Sequence, residues 1–268
     1  MNELVDAIKE NRSVLFVGAG VSQNIGLPSW QDLMDHMAEK LGFDPGVFRT
    51  LGDYLTLAEY YKLEKGVLGP LRSWMDREWH KSSIDIGKSE IHCMIVRLRF
   101  PLIYTTNFDR WLERAHEHFD APFVKIRNVA DLIQVREGDT QIVKLHGDFD
   151  DDESLVLTDS SYLDRLNLER PLDIKLKHDL LGKSVLFIGY SLTDINIRYL
   201  LYQIHRTWSS SVFASMRPQS YVFLSRPNVV QEKVLEARGI KPLVGECDDP
   251  GEGLKSFLRE LTEKVGCI

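Results

Sequence analysis

Runs of consecutive apolar residues recur along this chain and mark its strands. Residues 13–17 (Ser-Val-Leu-Phe-Val), 141–145 and 184–188 are mostly apolar runs bounded by polar residues. A strand that is buried on both faces has this pattern, as in a parallel sheet. Further strands are predicted over residues 101–104, 154–158, 221–224 and 240–244.

Between these runs, apolar positions recur at helical spacing. The apolar side chains of residues 30–41 share one face, and Ser29 followed by Asp32 is a start signal for that helix. Strands that alternate with helices predict a doubly wound parallel sheet, a Rossmann-like α/β fold. Further helices are predicted over residues 3–11, 111–119, 130–135, 159–166, 172–181, 194–202, 229–237 and 253–264.

The helical content of residues 42–100 interrupts this alternation. They contain no predicted strand but three runs with apolar residues at helical spacing. We therefore expect an inserted, small helical subdomain within a single domain that covers residues 1–268. Its aromatic side chains are expected to pack against one another.

Small, polar or ionisable residues follow four of the predicted strands. The four stretches are Val17-Gly18-Ala19-Gly20, Tyr104-Thr105-Thr106-Asn107-Phe108-Asp109, Lys144-Leu145-His146-Gly147 and Ile188-Gly189-Tyr190-Ser191. In doubly wound sheets, ligands bind at the carboxyl ends of the strands. The four stretches therefore predict one shared site.

Three of these stretches also have a structural alternative. Gly18 and Gly20 either hold a phosphate at a helix start or make a turn needed for packing, and the full Gly-x-Gly-x-x-Gly fingerprint is not met. Asp109 is placed to cap a helix. The neutral amide of Asn107 suits a ribose hydroxyl or a water. His146, at a strand end, is either structural or a base near neutral pH.

Two acidic features are predicted to be structural. Asp194 is expected to be an N-cap or a first-turn acid of the following helix. The acid-rich loop of residues 148–153 is expected to be solvated surface, because its spacing does not match a calcium-binding EF-hand.

The composition narrows the class of protein. A net charge of -7 argues against a general nucleic-acid surface. The cysteines, Cys93, Cys247 and Cys267, include no CxxC pair, which argues against a disulfide framework and a four-cysteine zinc site. No apolar stretch approaches the roughly 18 residues of a membrane span, and the acidic start of the chain is unlike a signal peptide. We therefore expect a cytoplasmic protein without membrane or direct nucleic-acid contacts.

Taken in order, the motifs resemble those of the sirtuin family of NAD-consuming enzymes. The resemblance spans residues 13–250 in the family's order. The residues that carry it are Gly18-Ala19-Gly20-Val21-Ser22 with Gly26-Leu27-Pro28, Thr105-Thr106-Asn107-Phe108-Asp109, Lys144-Leu145-His146-Gly147, Gly189-Tyr190-Ser191 and Cys247-Asp248.

This resemblance implies roles for the matching residues. Asn107 and Asp109 would act at the nicotinamide and its ribose, beside Thr105 of the same loop, and His146 would be the general base on a ribose hydroxyl. The residues implied to bind the rest of NAD are Gly18, Ala19, Gly20 and Ser22 at the pyrophosphate, and Gly189, Ser191, Ser225, Asn228 and Asp248 towards the phosphate and adenosine end.

The departures from the family pattern are as informative as the matches. In sirtuin deacylases a zinc module with two CxxC pairs follows the catalytic histidine, whereas residues 147–183 contain no cysteine. We therefore expect a rebuilt segment over residues 147–183 and no zinc. Residues 154–158 stand in place of the strand that pairs with an acyl-lysine peptide. This pattern resembles the zinc-less bacterial antiphage-defence branch of the family.

The resemblance to that branch predicts an NAD hydrolase. Such an enzyme cleaves the nicotinamide–ribose bond and depletes NAD in a phage-infected cell. The branch also implies a homo-oligomer and a helicase-like (ATPase-type) or sensor partner protein. Two alternatives stay open: an NAD-dependent protein-lysine deacylase, and a non-catalytic module that binds NAD or ADP-ribose and regulates a partner.

Overall fold

A parallel β-sheet forms the centre of the computed structural model, which describes residues 1–151, 154–245 and 247–267. The strands are β1 (Ser13–Val17), β2 (Leu102–Thr105), β3 (Phe123–Ile126), β4 (Thr140–Lys144), β5 (Ser184–Ile188), β6 (Ser220–Leu224) and β7 (Ile240–Val244). They lie in the order β3-β4-β2-β1-β5-β6-β7, and every pair is parallel.

Helices connect these strands. The α-helices are α1 (Asn2–Lys9), α2 (Ala19–Gln23), α3 (Trp30–Leu41), α4 (Pro45–Phe48), α5 (Tyr54–Lys65), α6 (Gly69–Trp79), α7 (Glu90–Arg97), α8 (Trp111–His118), α9 (Asp159–Leu163), α10 (Pro171–Gly182), α11 (Ile195–Ser209), α12 (Val229–Glu236) and α13 (Pro250–Val265). Short 3₁₀ helices cover Ile86–Lys88, Val129–Gln134 and Ala214–Met216. Among the helices of the described ranges, none has the length and apolar character that crossing a membrane requires.

β1 lies in the middle of the sheet, and each of its side chains is buried. Its Leu15 pairs with Ile103 of β2 on one side and with Leu186 of β5 on the other. From β1 the chain first adds strands on the β2 side and later on the β5 side, so the strand order reverses between β1 and β5. The prediction of a doubly wound parallel sheet is confirmed, and the reversal is where such sheets bind ligands.

Helices cover both faces of the sheet. Val14 and Phe16 of β1 pack with apolar residues of α10 and α11, whereas Leu15 and Val17 pack with α1, α7, α8 and α13. Full burial of a side chain of this size contributes about 1.5–3 kcal/mol. Burial on both faces explains why β1 is a continuous apolar run and not an alternating one.

A third apolar cluster lies in the helical region between β1 and β2. Side chains of α3, α5 and α6 meet there, and Phe149 and Leu157 from the chain after β4 join them. α7 instead packs on the sheet, through residues such as Ile95. The domain boundaries, residues 42–100 for a helical subdomain and 147–183 for a rebuilt segment, stay predictions.

The predicted capping box at the start of α3 is confirmed, whereas strand β3 was not predicted. The Ser29 N–H donates to Asp32 Oδ2 at 2.7 Å and the Asp32 N–H donates to Ser29 Oγ at 3.3 Å, which is the expected capping box. Edge strand β3 was not expected, because it is short and contains Lys125 among its apolar residues. Edge strands are commonly short and charged.

The strand predicted over residues 154–158 is wrong. In the structure residues 155–157 belong to no strand, although their apolar side chains are buried. The Val156 N–H donates to the His146 carbonyl at 2.9 Å, which ties this stretch to the end of β4. The apolar pattern arose from packing against the helical cluster and not from pairing in the sheet.

Candidate active site

A cavity of about 1530 Å³ opens at the carboxyl ends of the strands. The loops after β1, β2, β5 and β6 line it, together with His146 and parts of α3 and α5. The predicted site residues that line it are Ala19, Gly20, Ser22, Asn107, Asp109, His146, Gly189, Ser191, Ser225 and Asn228. Those that the structure places outside the lining are Gly18, Thr105 and Asp248.

The glycines after β1 allow two loops to touch. The Gly18 N–H donates to the Ile188 carbonyl at 3.0 Å, and the Gly20 N–H donates to the Gly189 carbonyl at 2.9 Å. A Cβ on Gly18 would lie 2.3 Å from the Gly189 carbonyl oxygen, so no larger residue fits without movement. Both N–H groups are therefore engaged within the protein, and packing accounts for these two glycines.

A chain of hydrogen bonds holds Asn107 at the end of β2. The buried Thr105 hydroxyl donates to the Val17 carbonyl at 2.9 Å and accepts from the Asn107 N–H at 3.0 Å. The Asn107 amide Nδ2 donates to Ser22 Oγ at 3.3 Å. Its Oδ1 makes no hydrogen bond within residues 1–151, 154–245 and 247–267. Thr105 thus positions Asn107, which keeps an acceptor for a ligand.

Asp109 is not the N-cap of α8 that the sequence predicted, because Arg110 occupies that position. Its Oδ1 accepts the Trp111 N–H at 3.1 Å, at the start of α8. Its carbonyl accepts a hydrogen bond from the buried Lys144 ammonium. The residue also lines the cavity beside Asn107, so its hydrogen bond to the first residue of α8 and a ligand contact are compatible.

His146 is buried at the cavity wall, with 3% of its side chain exposed. Its Nδ1 lies 3.3 Å from the Tyr162 hydroxyl, and its Nε2 lies 3.2 Å from Asp194 Oδ2. Nε2 has no hydrogen bond of good geometry within the described part of the chain. Burial, and then the positive charge of Arg165, hold the pKa of His146 well below its ordinary value. The imidazole is therefore neutral near pH 7 and able to accept a proton.

A glycine with positive φ lets the chain pass directly over the end of β4. Gly147 has a φ of 93°, and a Cβ there would lie 2.3 Å from the Ser154 carbonyl oxygen. The chain that passes this point continues into α9, which supplies Tyr162. The segment after His146 therefore contributes a wall of the site.

The sequence did not predict that Asp194 lies in the wall of the site. The prediction that it starts a helix is confirmed, since Oδ1 accepts the N–H groups of Asn196 and Ile197 at the start of α11. Its side chain is 8% exposed, and burial raises its pKa. One feature of the sequence could have indicated this role: Asp194 directly follows the Gly189 loop, at the edge of the sheet where ligands bind.

The far end of the cavity is more exposed and contains cations. The Ser191 and Thr193 hydroxyls are 2.8 Å apart, and Asn228 Oδ1 caps α12 by accepting the Gln231 N–H at 3.0 Å. Arg198, Arg226 and Arg238 also line this part of the cavity. Positive side chains here suit an anionic ligand.

The acid-rich loop is the expected solvated surface only in part, because Asp150 and Asp151 are exposed but Asp148 is buried. Only 1% of the Asp148 side chain is exposed, and Lys125 Nζ lies 3.0 Å from it. Asp150 lies 2.7 Å from Lys125 Nζ and 3.1 Å from Arg110. Burial of Asp148 beside the Lys125 ammonium explains why the expectation is wrong for this residue. Residues 152 and 153 of this loop lie outside the described residues, and no cluster of metal-binding side chains is found among the described ones.

A comparison with models of protein families identifies the family of this chain. A model described as "SIR2-like domain" matches residues 101–243, which contain Asn107, His146 and Asp194. The chain belongs to the SIR2-like domain family. The resemblance to sirtuins is thereby confirmed.

Similar proteins carry related names. The chain is 33% identical over 203 residues to a protein named NAD(+) hydrolase ThsA from Enterococcus faecium, covering 74% of this chain and 41% of that protein. It is 28% identical over 211 residues to NAD(+) hydrolase ThsA of Bacillus cereus, covering 78% and 43%. It is 27% identical over 219 residues to Defense-associated sirtuin 2 of Bacillus subtilis, covering 79% and 21%. The chain thus spans less than half the length of each of these relatives.

Among solved structures, a mutant Sir2 homologue in complex with 2'-O-acetyl ADP ribose has the same fold. The two chains superpose with a TM-score of 0.51 at 13% identity, over 99% of this chain and 98% of the other. This SIR2-like protein therefore shares the sirtuin fold.

Proposed function

We propose that this SIR2-like domain is an NAD hydrolase, which cleaves the nicotinamide–ribose bond of NAD to give nicotinamide and ADP-ribose. The observation that supports it most is that Asn107 and His146 line one cavity and that each keeps a polar atom without a hydrogen bond to the described protein. His146 Nε2 is buried, and an unpaired buried polar atom is costly unless a ligand or water bonds it. Several relatives named NAD(+) hydrolase add support.

The proposed mechanism follows from the chemistry of the substrate. Nicotinamide in NAD is already cationic, so it leaves as a neutral molecule without an acid. The transition state resembles an oxocarbenium ion, as in glycoside hydrolysis. Asn107 orients the ribose hydroxyls or the attacking water, and the neutral imidazole of His146 accepts a proton. Asp109, beside Asn107, contacts the nicotinamide ribose.

The remaining contacts are proposed from the lining of the cavity. Ala19, Gly20 and Ser22 contact the pyrophosphate, with Gly18 supporting the turn through its contact with Gly189. Adenosine lies towards β6 and β7, where the side chains are more exposed. The proposed contacts at that end are Gly189, Ser191, Ser225, Asn228 and, from outside the lining, Asp248.

The decisive experiment measures nicotinamide and ADP-ribose released from NAD by the purified chain. Asn107→Ala and His146→Ala are each expected to lower turnover by about 100- to 10,000-fold, which is the usual contribution of a positioned proton acceptor or orienting group. Matched controls are Asn167→Ala and His178→Ala, because both side chains are exposed and lie outside the cavity lining. Wild-type turnover in both cavity variants would exclude the proposal.

The same assay separates the two alternatives. Addition of an acetylated peptide would yield O-acetyl-ADP-ribose if the chain were a deacylase, and hydrolysis needs no peptide. NAD binding by calorimetry without any nicotinamide release would instead favour a regulatory binding module. We propose hydrolysis because the segment after His146 supplies Tyr162, and because residues 155–157, which stand in place of the peptide-pairing strand of sirtuin deacylases, belong to no strand.

We further propose that the enzyme acts in the cytoplasm as a homo-oligomer, in antiphage defence by NAD depletion, with a helicase-like or sensor partner. The three cysteines are unpaired, which suits a reducing compartment. Exposed apolar residues, among them Val212, Phe213 and Met216, offer area for protein contacts. Light scattering of the purified chain, alone and with the product of a neighbouring gene, tests the assembly.

A further inference from the structure

Two buried ionisable side chains from opposite halves of the sheet meet in the cavity wall. His146 follows β4, and Asp194 lies between β5 and α11. Asp194 Oδ2 lies 3.2 Å from His146 Nε2, and the two side chains are 8% and 3% exposed. Burial of a carboxylate and an imidazole costs free energy, so their position in the cavity wall requires an explanation.

The role of Asp194 as the N-cap of α11 does not explain why a carboxylate lies beside His146. One oxygen of Asp194, Oδ1, accepts the N–H groups of Asn196 at 2.9 Å and Ile197 at 3.2 Å. Asn or Ser caps a helix about as well as Asp, so a charge is not needed for this role. The cap does fix the orientation of the carboxylate, and the other oxygen stays beside Nε2.

The groups around this pair are few and can be named. Tyr162 of α9 lies 3.3 Å from His146 Nδ1, Arg165 follows α9, and the partly buried Tyr190 lies beside Asp194. Burial lowers the pKa of His146, with Arg165 adding to it, and burial raises the pKa of Asp194. Two groups this close titrate as a pair and not independently.

We propose that Asp194 is the positioning residue of His146: it orients the imidazole and balances the positive charge that the ring acquires on taking a proton at Nε2. The inference rests on the proposed hydrolysis of NAD. In that step one O–H proton of water passes to Nε2 and the water oxygen bonds to the anomeric carbon of the ribose. The carbon–nitrogen bond breaks with its electron pair leaving on nicotinamide, and the proton then passes from His146 to solvent.

Asp194→Asn and Asp194→Ser test the role of the charge. Both keep an oxygen that caps α11, but neither carries a carboxylate. The expected result for each is a kcat lowered about 100-fold, with KM for NAD changed less than about threefold because the pair acts in the transition state. The matched control is Asp44→Asn, which removes the charge of another N-cap residue, whose Oδ1 accepts the Val47 N–H at 2.9 Å. Tm should match the control in both variants.

A second measurement does not depend on turnover. Nitrogen NMR of the histidine rings, with the His146 signal assigned by its loss in His146→Gln, follows the protonation of this ring directly. Loss of a neighbouring carboxylate disfavours the imidazolium, so Asp194→Asn should move both the NMR titration and the acid limb of the rate profile to lower pH. Wild-type kcat in Asp194→Asn, or an unchanged His146 titration, overturns the proposal. If the wild-type chain releases no nicotinamide, hydrolysis is excluded while the titration still decides the pairing.

Discussion

The carbonyl oxygen of Gly189 accepts a hydrogen bond from the N–H of Gly20 at 2.9 Å, so the loops after β1 and β5 touch through their backbones. This contact lies where the strand order reverses. It brings the two halves of the sheet together at the site and explains why residues on both loops are glycine.

Gly18→Ala is expected to destabilise the fold. The new methyl group would lie 2.3 Å from the Gly189 carbonyl oxygen, and forcing such a contact costs about 1–3 kcal/mol. The free energy of unfolding in urea measures this. Gly182→Ala is the control, because a Cβ there meets nothing within 4 Å. Equal stability of the two variants would contradict the packing role.

Removal of Arg165 is expected to leave a buried charge without its partner. Arg165 forms an ion pair with Asp173, and both side chains are almost fully buried. Arg165→Met should lower the free energy of unfolding by about 3–5 kcal/mol. The double variant Arg165→Met with Asp173→Leu should recover much of the loss, since it buries no lone charge. A double variant as unstable as the single one would argue against this account.

Stability is expected to fall as the pH decreases from 6.5 to about 4. Burial lowers the pKa of His92 from 6.5 to about 4. Between these values the unfolded chain binds the proton and the folded chain does not, so the contribution is complete above pH 6.5 and is lost on acidification. The expected change is about 3 kcal/mol, measured by urea unfolding across this range.

The pH slope can be assigned to His92 with two variants. His92→Leu should reduce the slope, whereas His178→Leu should not, because His178 is exposed. Burial also lowers the pKa values of other histidines, which add to the slope in the same direction; they are His36, His80, His116, His146 and His205. A slope unchanged by His92→Leu would show that another group is responsible.

Tyr162→Phe tests the wall of the site that the segment after β4 provides. It removes the hydroxyl that lies 3.3 Å from His146 Nδ1. Loss of one such hydrogen bond is worth up to about 1.5 kcal/mol, or about tenfold in turnover of NAD. Tyr60→Phe is the control, since Tyr60 lies outside the cavity lining. Equal rates for the two variants would show that Tyr162 does not act on the histidine.

Much of the fold follows from the sequence because strands buried on both faces are continuous apolar runs. β1 is such a run and its predicted bounds match. β3 has a polar residue among four and, among the strands of the described residues, pairs only with β4, so its pattern is weak. Residues 155–157 show the reverse error, because apolar residues were buried against helices without joining the sheet.

The residue pattern itself pointed to the site where polar residues closely follow strands. Asn107 and His146 do so, and both line the cavity. The pairing of His146 with Asp194 could not be foreseen. β4 and β5 are separated by β2 and β1, a distance of about 14 Å at the usual strand spacing. Loops must cross this gap, and their paths depend on tertiary packing.

The hydrogen bond from the Val156 N–H to the His146 carbonyl ties the stretch after β4 to a residue of the cavity wall, so we expect ligand binding to slow the local opening of this stretch. The stretch that begins there carries Tyr162 against the imidazole ring. A ligand that binds in the cavity and forms a hydrogen bond with His146 favours, by mass action, the state in which this stretch is packed against the site. Amide hydrogens of α9 and α10 should therefore exchange more slowly with solvent when ADP-ribose is bound, while those of α1 on the opposite face should not change.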